Sequence, residues 1–340
     1  MMRMLIWRWG VMHMQEDKNL LDDGERALTG EQTYDSALAT MITKLASFII
    51  PLINEAFGEK FTKAAAVEIK NSKHVMAQVD GRLSRRETDA YVKLSEMIGQ
   101  LVEKFYHIEC ETWFGKGIVV RVAEYSSVIA LDNAQVTANG VRITYPHSVV
   151  IFLRPSNAIP KKMTITHCGP NGQEMSYEVP TIQIKEYTLD DIFDKKLLLL
   201  LPFYLFRFAD EFDEMEKDEK KRRKIEESLQ EIEEKLDGLL QANEISVYQK
   251  LTTEDLLLRV SEKLAVGYEK IREGVDRIMS GYILKTKADE IKEEGRQEAV
   301  NLMNYLWSNG RGEDAKKAST DQDFLERLLA EFKSMPSSAN

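Results

Sequence analysis

The sequence predicts an α/β protein followed by an α-helical region, and two observations lead to this fold class. The first two-thirds of the chain alternates between helical and strand-like spacing of apolar residues. After about residue 208 the chain becomes dense in Glu, Lys, Arg and Leu and has no proline before Pro336. We therefore expect a flexible N-terminal extension over residues 1–33, a globular domain over residues 34–208 and a helical, partly coiled-coil region over residues 209–340.

The composition of the 340-residue chain excludes several classes of protein. With 43% hydrophobic and 30% charged residues, it is neither wholly disordered nor collagen-like. The longest apolar run, residues 197–206, is too short for a membrane helix and is interrupted by Pro202. Two cysteines, Cys110 and Cys168, argue against a disulfide scaffold. The apolar start of the chain is interrupted by Arg8 and lacks the cleavage site of a signal peptide, so we expect a cytoplasmic protein without membrane contact.

The net charge of −10 is distributed unevenly along the chain. Residues 58–208 are mildly basic, with Arg82, Arg85 and Arg86 close together, whereas residues 209–340 carry most of the acidity. An acidic tail repels a phosphate backbone, so we do not expect it to supply the main contact to a nucleic acid. The overall charge therefore does not exclude a nucleic-acid substrate for the middle of the chain.

Helical spacing and alternation predict the order of the elements. The predicted helices cover residues 34–57, 118–134, 189–212, 253–279 and 288–307. The predicted strands cover residues 88–94, 104–112, 148–153, 163–167, 175–179 and 181–187, and residues 64–69 form either a strand or a helical turn. Pro51 predicts a kink or a junction in the first helix, and Gly58 is expected to be its C-cap.

A coiled-coil seam is predicted in the acidic region. Five apolar residues are spaced four, three, four and three positions apart, namely Ile225, Leu229, Ile232, Leu236 and Leu239. The seam covers roughly two heptads, so it is compatible with a helical hairpin within one chain or with a homodimer. The surrounding runs of charge are typical of a solvated helix face.

Three acids on two neighbouring predicted strands are the candidate chemical group. Alternation places Glu109 and Glu111 on one face of their strand, roughly 6–7 Å apart, and Asp89 can reach Glu109 if the strands pair. Clustered carboxylates repel one another unless a cation lies among them, and Mg²⁺ or Mn²⁺ suits such oxygen ligands. The alternative is that these are ordinary exposed acids on the wet face of a sheet.

Longer motifs around these acids resemble the PD-(D/E)XK nuclease superfamily. The stretches are Arg85-Arg-Glu-Thr-Asp89, Tyr106-His-Ile-Glu-Cys110-Glu-Thr112 and Val120-Arg-Val-Ala-Glu-Tyr125. Within that superfamily they are most similar to recombination-promoting nucleases and related transposases of bacteria and mobile elements. Later segments resemble the same families, and the likeness extends from about residue 34 to residue 281.

The resemblance implies a restriction-endonuclease-like core, with a central mixed sheet flanked by helices, that cuts DNA with a metal ion. Carried over to this chain, it implies that Asp89 and Glu109 hold Mg²⁺ or Mn²⁺ against the scissile phosphate. Glu111 occupies the position where the superfamily often has lysine and this branch often has glutamine. Glutamate cannot lend positive charge to the transition state. A degenerate member that binds DNA or a protein without cutting is therefore the alternative.

Several nearby charges are candidates to replace the missing lysine or to contact DNA. The candidate replacement cations are Lys116, in the turn after the second strand, and Lys93, which shares the strand face of Asp89. For Lys93 a cross-strand salt bridge to Glu109 or Glu111 is the alternative. The candidate DNA contacts are Arg85, Arg86, Lys116 and Arg121. For Arg121 a structural ion pair is an equal alternative, and Glu124, one helical turn further on, is a candidate outer ligand.

Overall fold

The structure, a computed structural model, describes residues 34–70, 73–77, 83–87, 89–115, 117–318 and 322–333. Within this part of the chain, the strands form one six-stranded mixed sheet and two two-stranded ribbons. The strands are β1 (Ala66–Ile69), β2 (Lys73–Ala77), β3 (Leu83–Glu87), β4 (Ala90–Ile98), β5 (Gln100–Glu111), β6 (Gln135–Thr137), β7 (Gly140–Arg142), β8 (His147–Phe152), β9 (Lys162–Cys168) and β10 (Glu174–Gln183). The segment 1–33, predicted to be a flexible extension, lies outside the described residues.

Helices alternate with these strands up to β10, and the described chain after β10 is helical. They are α1 (Tyr34–Lys44), α2 (Ile49–Phe57), α3 (Gly117–Asp132), α4 (Leu189–Asp194), α5 (Phe212–Lys217), α6 (Glu219–Gln241), α7 (Val247–Leu264), α8 (Glu269–Ser308), α9 (Gly312–Ala318) and α10 (Gln322–Lys333). The prediction of an α/β protein with a mixed sheet and a helical C-terminal region is confirmed.

The strand order of the sheet is β1-β4-β5-β8-β10-β9. Strands β4 and β5 form an antiparallel hairpin, whereas β5, β8 and β10 run parallel to one another. Glu111 of β5 pairs with Phe152 of β8, which in turn pairs with Gln183 of β10. The carboxyl ends of three parallel strands therefore meet at one edge of the sheet, where open α/β sheets usually bind their ligands.

Different elements cover the two faces of the sheet. Ile108 of β5 belongs to the main core, which includes α1, α2 and most of the C-terminal helices. Val150 and Phe152 of β8 belong to a second core against α3. Because Glu109 pairs with Val150 and Glu111 with Phe152, both acids lie on the α3 face of the sheet.

The first predicted helix is divided, but Pro51 is not where it breaks. The chain turns by 103° between Tyr34–Lys44 and Ala46–Phe57, at Leu45. Pro51 lies in the first turn of α2, where a missing N–H breaks no helical hydrogen bond. Gly58 has a φ of 66° and ends α2 in the left-handed conformation, as predicted.

Two predicted elements between β10 and α6 are wrong. Residues 181–187 do not form a separate strand, because β10 continues to Gln183 and a 3₁₀ turn follows. Residues 189–212 are not one helix, because α4 ends at Asp194 and a 3₁₀ segment covers Leu198–Glu211. Lys196 between them has a φ of 58°, and Pro202 inside the 3₁₀ segment lacks the N–H that an α-helix needs.

The helical region shares its core with the sheet. One buried cluster contains Leu201 and Phe206 before residue 208 together with Phe212, Met215 and Leu229 after it. The seam lies within this cluster: Ile225, Leu229, Ile232 and Leu236 are each no more than 1% exposed, and Leu239 packs against them. The seam is thus buried in the core of one chain, and the coiled coil and the homodimer stay predictions.

The helices after α6 differ from the predicted boundaries. Residues 253–279 are not one helix, because α7 ends at Leu264 and Gly267 adopts a φ of 92° before α8 begins. Residues 288–307 are not a separate helix but the second half of α8. Periodicity alone does not reveal the turn at Gly267, since an isolated glycine is tolerated in a helix.

A buried ionic cluster joins three of these helices. Lys250 of α7 is 1% exposed and is surrounded by Asp237 and Glu233 of α6, by Glu254 of its own helix and by Thr286 of α8. Its Nζ lies 2.6 Å from Asp237 Oδ1 and 3.1 Å from Glu254 Oε1. Burial and the neighbouring Glu254 raise the pKa of Glu233 to about 9. This cluster was not predicted, because the charge runs were interpreted as a solvated face.

No single helix of the described residues is long and apolar enough to cross a membrane. The bent pair Tyr34–Lys44 and Ala46–Phe57 meets the length and composition only when both parts are counted together.

Candidate active site

A small polar pocket of about 160 Å³ lies at the carboxyl ends of the parallel strands. Its lining is Asp35, Asp89, Glu109, Cys110, Glu111, Thr112, Arg121 and Tyr125. The three acids predicted from the sequence therefore come together, and the pocket has room for several water molecules.

Strand pairing brings Asp89 beside Glu109. Ala90 pairs with Ile108, so Asp89, one position before β4, lies next to Glu109 on the neighbouring strand. The carboxylate of Asp89 accepts a hydrogen bond from the backbone N–H of Cys110, with an N···Oδ2 distance of 2.6 Å. This bond fixes the side chain of Asp89 against the strand that carries the other two acids.

A buried chain of hydrogen bonds holds the side chain of Glu109 in place. It is 3% exposed, so the alternative of an ordinary exposed acid is wrong for this residue. Its Oε1 lies 2.7 Å from His107 Nε2, and His107 Nδ1 lies 3.2 Å from Ser148 Oγ, which contacts Ser126 Oγ at 2.8 Å. An ionised Glu109 can only accept, so Nε2 carries a proton, and in the neutral imidazole Nδ1 then accepts from Ser148 Oγ. The chain thereby fixes both the tautomer of His107 and the orientation of Glu109.

Glu111 and Arg121 form an ion pair across the mouth of the pocket. An Nη of Arg121, on the first turns of α3, contacts Glu111 Oε1, and its Nε lies 3.9 Å from Glu109 Oε2. The Arg121 side chain is 38% exposed, so it faces both the acids and the solvent. Its Nε has no hydrogen-bond partner within the described part of the chain. The guanidinium therefore lies next to both acids and retains a donor.

Negative charge is concentrated in this pocket. Burial, followed by the charge of Glu109 and then of Asp35, raises the pKa of Asp89 well above its ordinary value, although the Cys110 N–H and Arg121 act in the opposite direction. Among the described residues, four carboxyl groups and one guanidinium line the pocket. Such an excess of negative charge is relieved by a proton or by a bound cation.

Lys93 does not belong to this cluster. Its Nζ pairs with Glu103, further along the β4–β5 hairpin, and not with Glu109 or Glu111. Four residues separate Lys93 from Asp89, which amounts to about 13 Å along a strand. Alternation correctly predicts a shared face but carries no information about distance along that face.

The remaining predicted site residues either do not line the pocket or have side chains outside the described part of the chain. Glu124 is half-buried on α3, one turn after Arg121, and does not line the pocket. Arg85 and Arg86 lie on β3 of the β2–β3 ribbon, but their side chains, like the whole of Lys116, are outside what the structure describes. Their predicted contacts to DNA stay predictions.

Sequence reasoning missed two contributions to the pocket. Asp35 comes from the start of α1, far from the acids in sequence, and no spacing signals its approach. Ser148 and Ser126 belong to β8 and α3, and their link to His107 depends on the packing of these elements. The position of His107 on the same strand face as the acids was the one available signal.

The donor chemistry of the pocket fits a hard divalent cation. Carboxylate oxygens are the ligands that Mg²⁺ and Mn²⁺ prefer, and Asp89 and Glu109 lie side by side. As the side chains are arranged, however, no group of three or more His, Cys, Asp or Glu among the described residues has the geometry of a metal site. Hydrogen bonds and Arg121 engage the carboxylates instead. An ion held by Asp89 and Glu109 would therefore compete with the Cys110 N–H, His107 and Arg121 for these carboxylates.

Comparisons of this chain with protein-family models, with curated proteins and with solved structures find no match.

Proposed function

We propose that this protein is a Mg²⁺- or Mn²⁺-dependent DNA endonuclease that hydrolyses phosphodiester bonds. The observation that carries the proposal is the pairing of Asp89 with Glu109 in a polar pocket at the carboxyl ends of parallel strands. The raised pKa of Asp89 supports it, because repulsion among the acids favours a bound cation. The resemblance of the surrounding motifs to PD-(D/E)XK nucleases supplies the reaction class.

Asp89 and Glu109 would hold the divalent ion. When bound, such an ion supplies an activated water and neutralises charge on the phosphodiester. Glu109 is oriented for this role by His107, which is itself fixed by Ser148. Partners of this kind, one step removed from the ion, typically matter 10–100-fold for affinity or activity, an order-of-magnitude figure.

Arg121 would supply the positive charge that Glu111 cannot. Its guanidinium lies beside Glu109 and is exposed enough to meet a phosphate. Glu111 then serves to hold Arg121 at the pocket, rather than to bind the ion or activate water. The departure at Glu111 is thus compensated by a cation from α3.

This assignment predicts a small change in cleavage rate for a substitution at Glu111 and a large loss for one at Arg121. Glu111→Gln should change the cleavage rate by no more than about threefold, since glutamine can still hydrogen-bond Arg121. Arg121→Gln should lower the rate by about 100-fold, the usual cost of one electrostatic stabiliser. Single-turnover cleavage of supercoiled plasmid measures both, with Arg142→Gln on the exposed β7 as the matched control. Equal losses at Glu111 and Arg121 would contradict the assignment.

A catalytically degenerate DNA- or protein-binding module is the second candidate. The observation favouring it is that Arg121 and hydrogen bonds already engage the carboxylates. Incubation of supercoiled plasmid with the full chain and either Mg²⁺ or Mn²⁺ distinguishes the two. Nicking or linearisation that requires the ion supports the endonuclease, and intact plasmid under both ions supports the degenerate module.

Metal binding should also be detectable as stabilisation. A ligand that binds the folded state at ten times its Kd adds about 1.4 kcal/mol to the free energy of unfolding. We therefore expect millimolar Mn²⁺ to raise the Tm of the wild type by a few degrees and to leave that of Glu109→Ala unchanged. Differential scanning fluorimetry measures this. An equal rise in both proteins would place the ion elsewhere.

A further inference from the structure

An exposed aromatic residue stands immediately beside the candidate active site. Trp113 follows Glu111 by two positions, directly after Thr112 of the pocket lining, and is 62% exposed. The guanidinium of Arg154 lies over its ring, 4.5 Å from the centroid. An exposed indole provides a flat surface on which a base can stack.

Arg154 connects this indole to a second cavity. Its backbone N–H donates to the carbonyl of Thr112, at 3.2 Å, so it lies at the edge of the active-site pocket. Its Nη1 lies 3.5 Å from Asp210, which lines the second cavity, and its Nε is buried without a hydrogen-bond partner among the described residues. The protein acceptors around Arg154 therefore do not saturate its guanidinium.

The second cavity carries two lysines that have no ion-pair partner among the described residues. It has a volume of about 510 Å³ and is lined by Lys161 and Lys185 together with the acids Glu186 and Asp210. Both lysines are exposed, and neither forms an ion pair with any acid that the structure describes. Neighbouring Lys162, by contrast, pairs with Glu178 at 2.5 Å. The cavity thus offers positive charge that no described acid neutralises through a direct contact.

The two cavities lie along one edge of the sheet at a spacing that suits a nucleic-acid strand. Glu111, Phe152 and Gln183 form one row across β5, β8 and β10, and Gln183 lines the second cavity. Two strand spacings amount to about 10 Å, so the two cavities lie within a few nucleotides of each other along a strand. One strand of a few nucleotides can therefore contact both the acids and the lysines.

From this arrangement we infer that an unpaired DNA strand lies along this edge, with one base stacked on Trp113 and its phosphates on Arg154, Lys161 and Lys185. The inference rests on the proposed function, because it names the form of DNA that enters the same site. A base inside a duplex is already stacked on its neighbours, so a stacking surface beside the acids selects a strand with an unstacked base. The substrate class is therefore single-stranded, frayed or branched DNA.

Fluorescence anisotropy with a labelled 12-nucleotide single strand and with the blunt duplex of that strand and its complement tests the inference, with Ca²⁺ in place of Mg²⁺. The wild type should bind the single strand more tightly than the duplex. Trp113→Ala should weaken single-strand binding roughly fivefold or more, and Trp113→Phe should retain most of it. Lys161→Gln and Lys185→Gln should each weaken binding and reduce the slope of log K against log salt by about 0.7.

Two further variants serve as controls of charge. Lys162→Gln is adjacent to Lys161 but already paired with Glu178, so it should leave binding unchanged. Asp210→Asn should tighten binding, because it removes the counter-charge of Arg154. Circular dichroism of each variant checks that it is folded.

The possible results separate this inference from the endonuclease proposal. Trp113-dependent binding of the single strand supports the inference even if no plasmid is cut. The absence of cutting would contradict only the proposed catalytic activity. The opposite result is cutting that depends on Asp89, together with Trp113→Ala and Lys161→Gln variants that bind and cut like the wild type. It would overturn the inference and leave the endonuclease proposal intact. Equal binding of duplex and single strand, without any effect of Trp113, would overturn it as well.

Discussion

Asp89→Asn and Glu109→Gln are each expected to lower DNA cleavage by at least about 100-fold while leaving the protein folded. Both changes keep the shape of the side chain and remove the negative charge that would hold the divalent ion. Charge stabilisation by such an ion is worth several kcal/mol, and each 1.36 kcal/mol corresponds to a factor of ten in rate. Single-turnover plasmid cleavage at saturating Mg²⁺ and at saturating Mn²⁺ measures the loss.

The raised pKa of Asp89 makes this variant informative about folding. Below its ordinary pKa of 3.8 the carboxyl is protonated in the folded and the unfolded chain and has no effect on stability. As the pH rises, the unfolded chain ionises first, so the folded state loses stability until the pH exceeds the raised pKa. At neutral pH Asp89→Asn should therefore match or exceed the wild type in free energy of unfolding. A loss of cleavage then reports on chemistry and not on unfolding.

Glu103→Gln provides the matched control for these two changes. Glu103 lies on the same strand as Glu109, but it pairs with Lys93 away from the pocket. It should cut DNA at the wild-type rate. Cleavage by Asp89→Asn and Glu109→Gln within about threefold of Glu103→Gln would refute the site, and residual cutting that survives in both would point to a contaminating nuclease.

The convergence of the acids was predictable, because it depends on local rules. Alternation places Glu109 and Glu111 on one face, and a short hairpin brings Asp89 to Glu109. The position of Arg121 near the start of a helix also followed from the sequence. Lys93 was misplaced because alternation fixes the face but not the distance along it. Asp35 was missed because the approach of α1 to the sheet is a tertiary contact.

In the rest of the fold, too, features set by local rules were predictable and features set by tertiary packing were not. Apolar strands and the seam of α6 follow the period of their secondary structure, so their existence was predictable. The break at Leu45 and the left-handed Lys196 were not, because no residue type there demands them. The buried Lys250 was interpreted with the charge runs as solvated, since its partners outside its own helix come from α6 and α8 and depend on how these helices pack.

Lys250→Met should destabilise the protein by about 3–5 kcal/mol, the usual cost of removing one partner from a buried ion cluster. Burial by itself lowers the pKa of Lys250, but Asp237, Glu254 and Glu233 outweigh burial and raise it, so the side chain stays charged in the folded protein. Methionine fills a similar volume but leaves Glu233 and Glu254, both fully buried, without their cation. Urea unfolding followed by circular dichroism measures the change.

The loss should grow with pH, which separates the missing charge from a packing defect. Glu233, with a pKa raised to about 9, remains protonated at neutral pH in the folded wild type and stabilises it progressively less as the pH rises from 4.5 towards 9. Without Lys250 the pKa of Glu233 rises further, so the variant keeps losing stability above pH 9 where the wild type stops, and the deficit should be larger at pH 9.5 than at pH 7. Lys285→Met is the matched control, because Lys285 pairs with the same Asp237 but is 55% exposed, and it should cost no more than about 1 kcal/mol. Equal losses for the two lysines, or a loss at Lys250 that does not change with pH, would show that this cluster does not stabilise the junction of α6, α7 and α8.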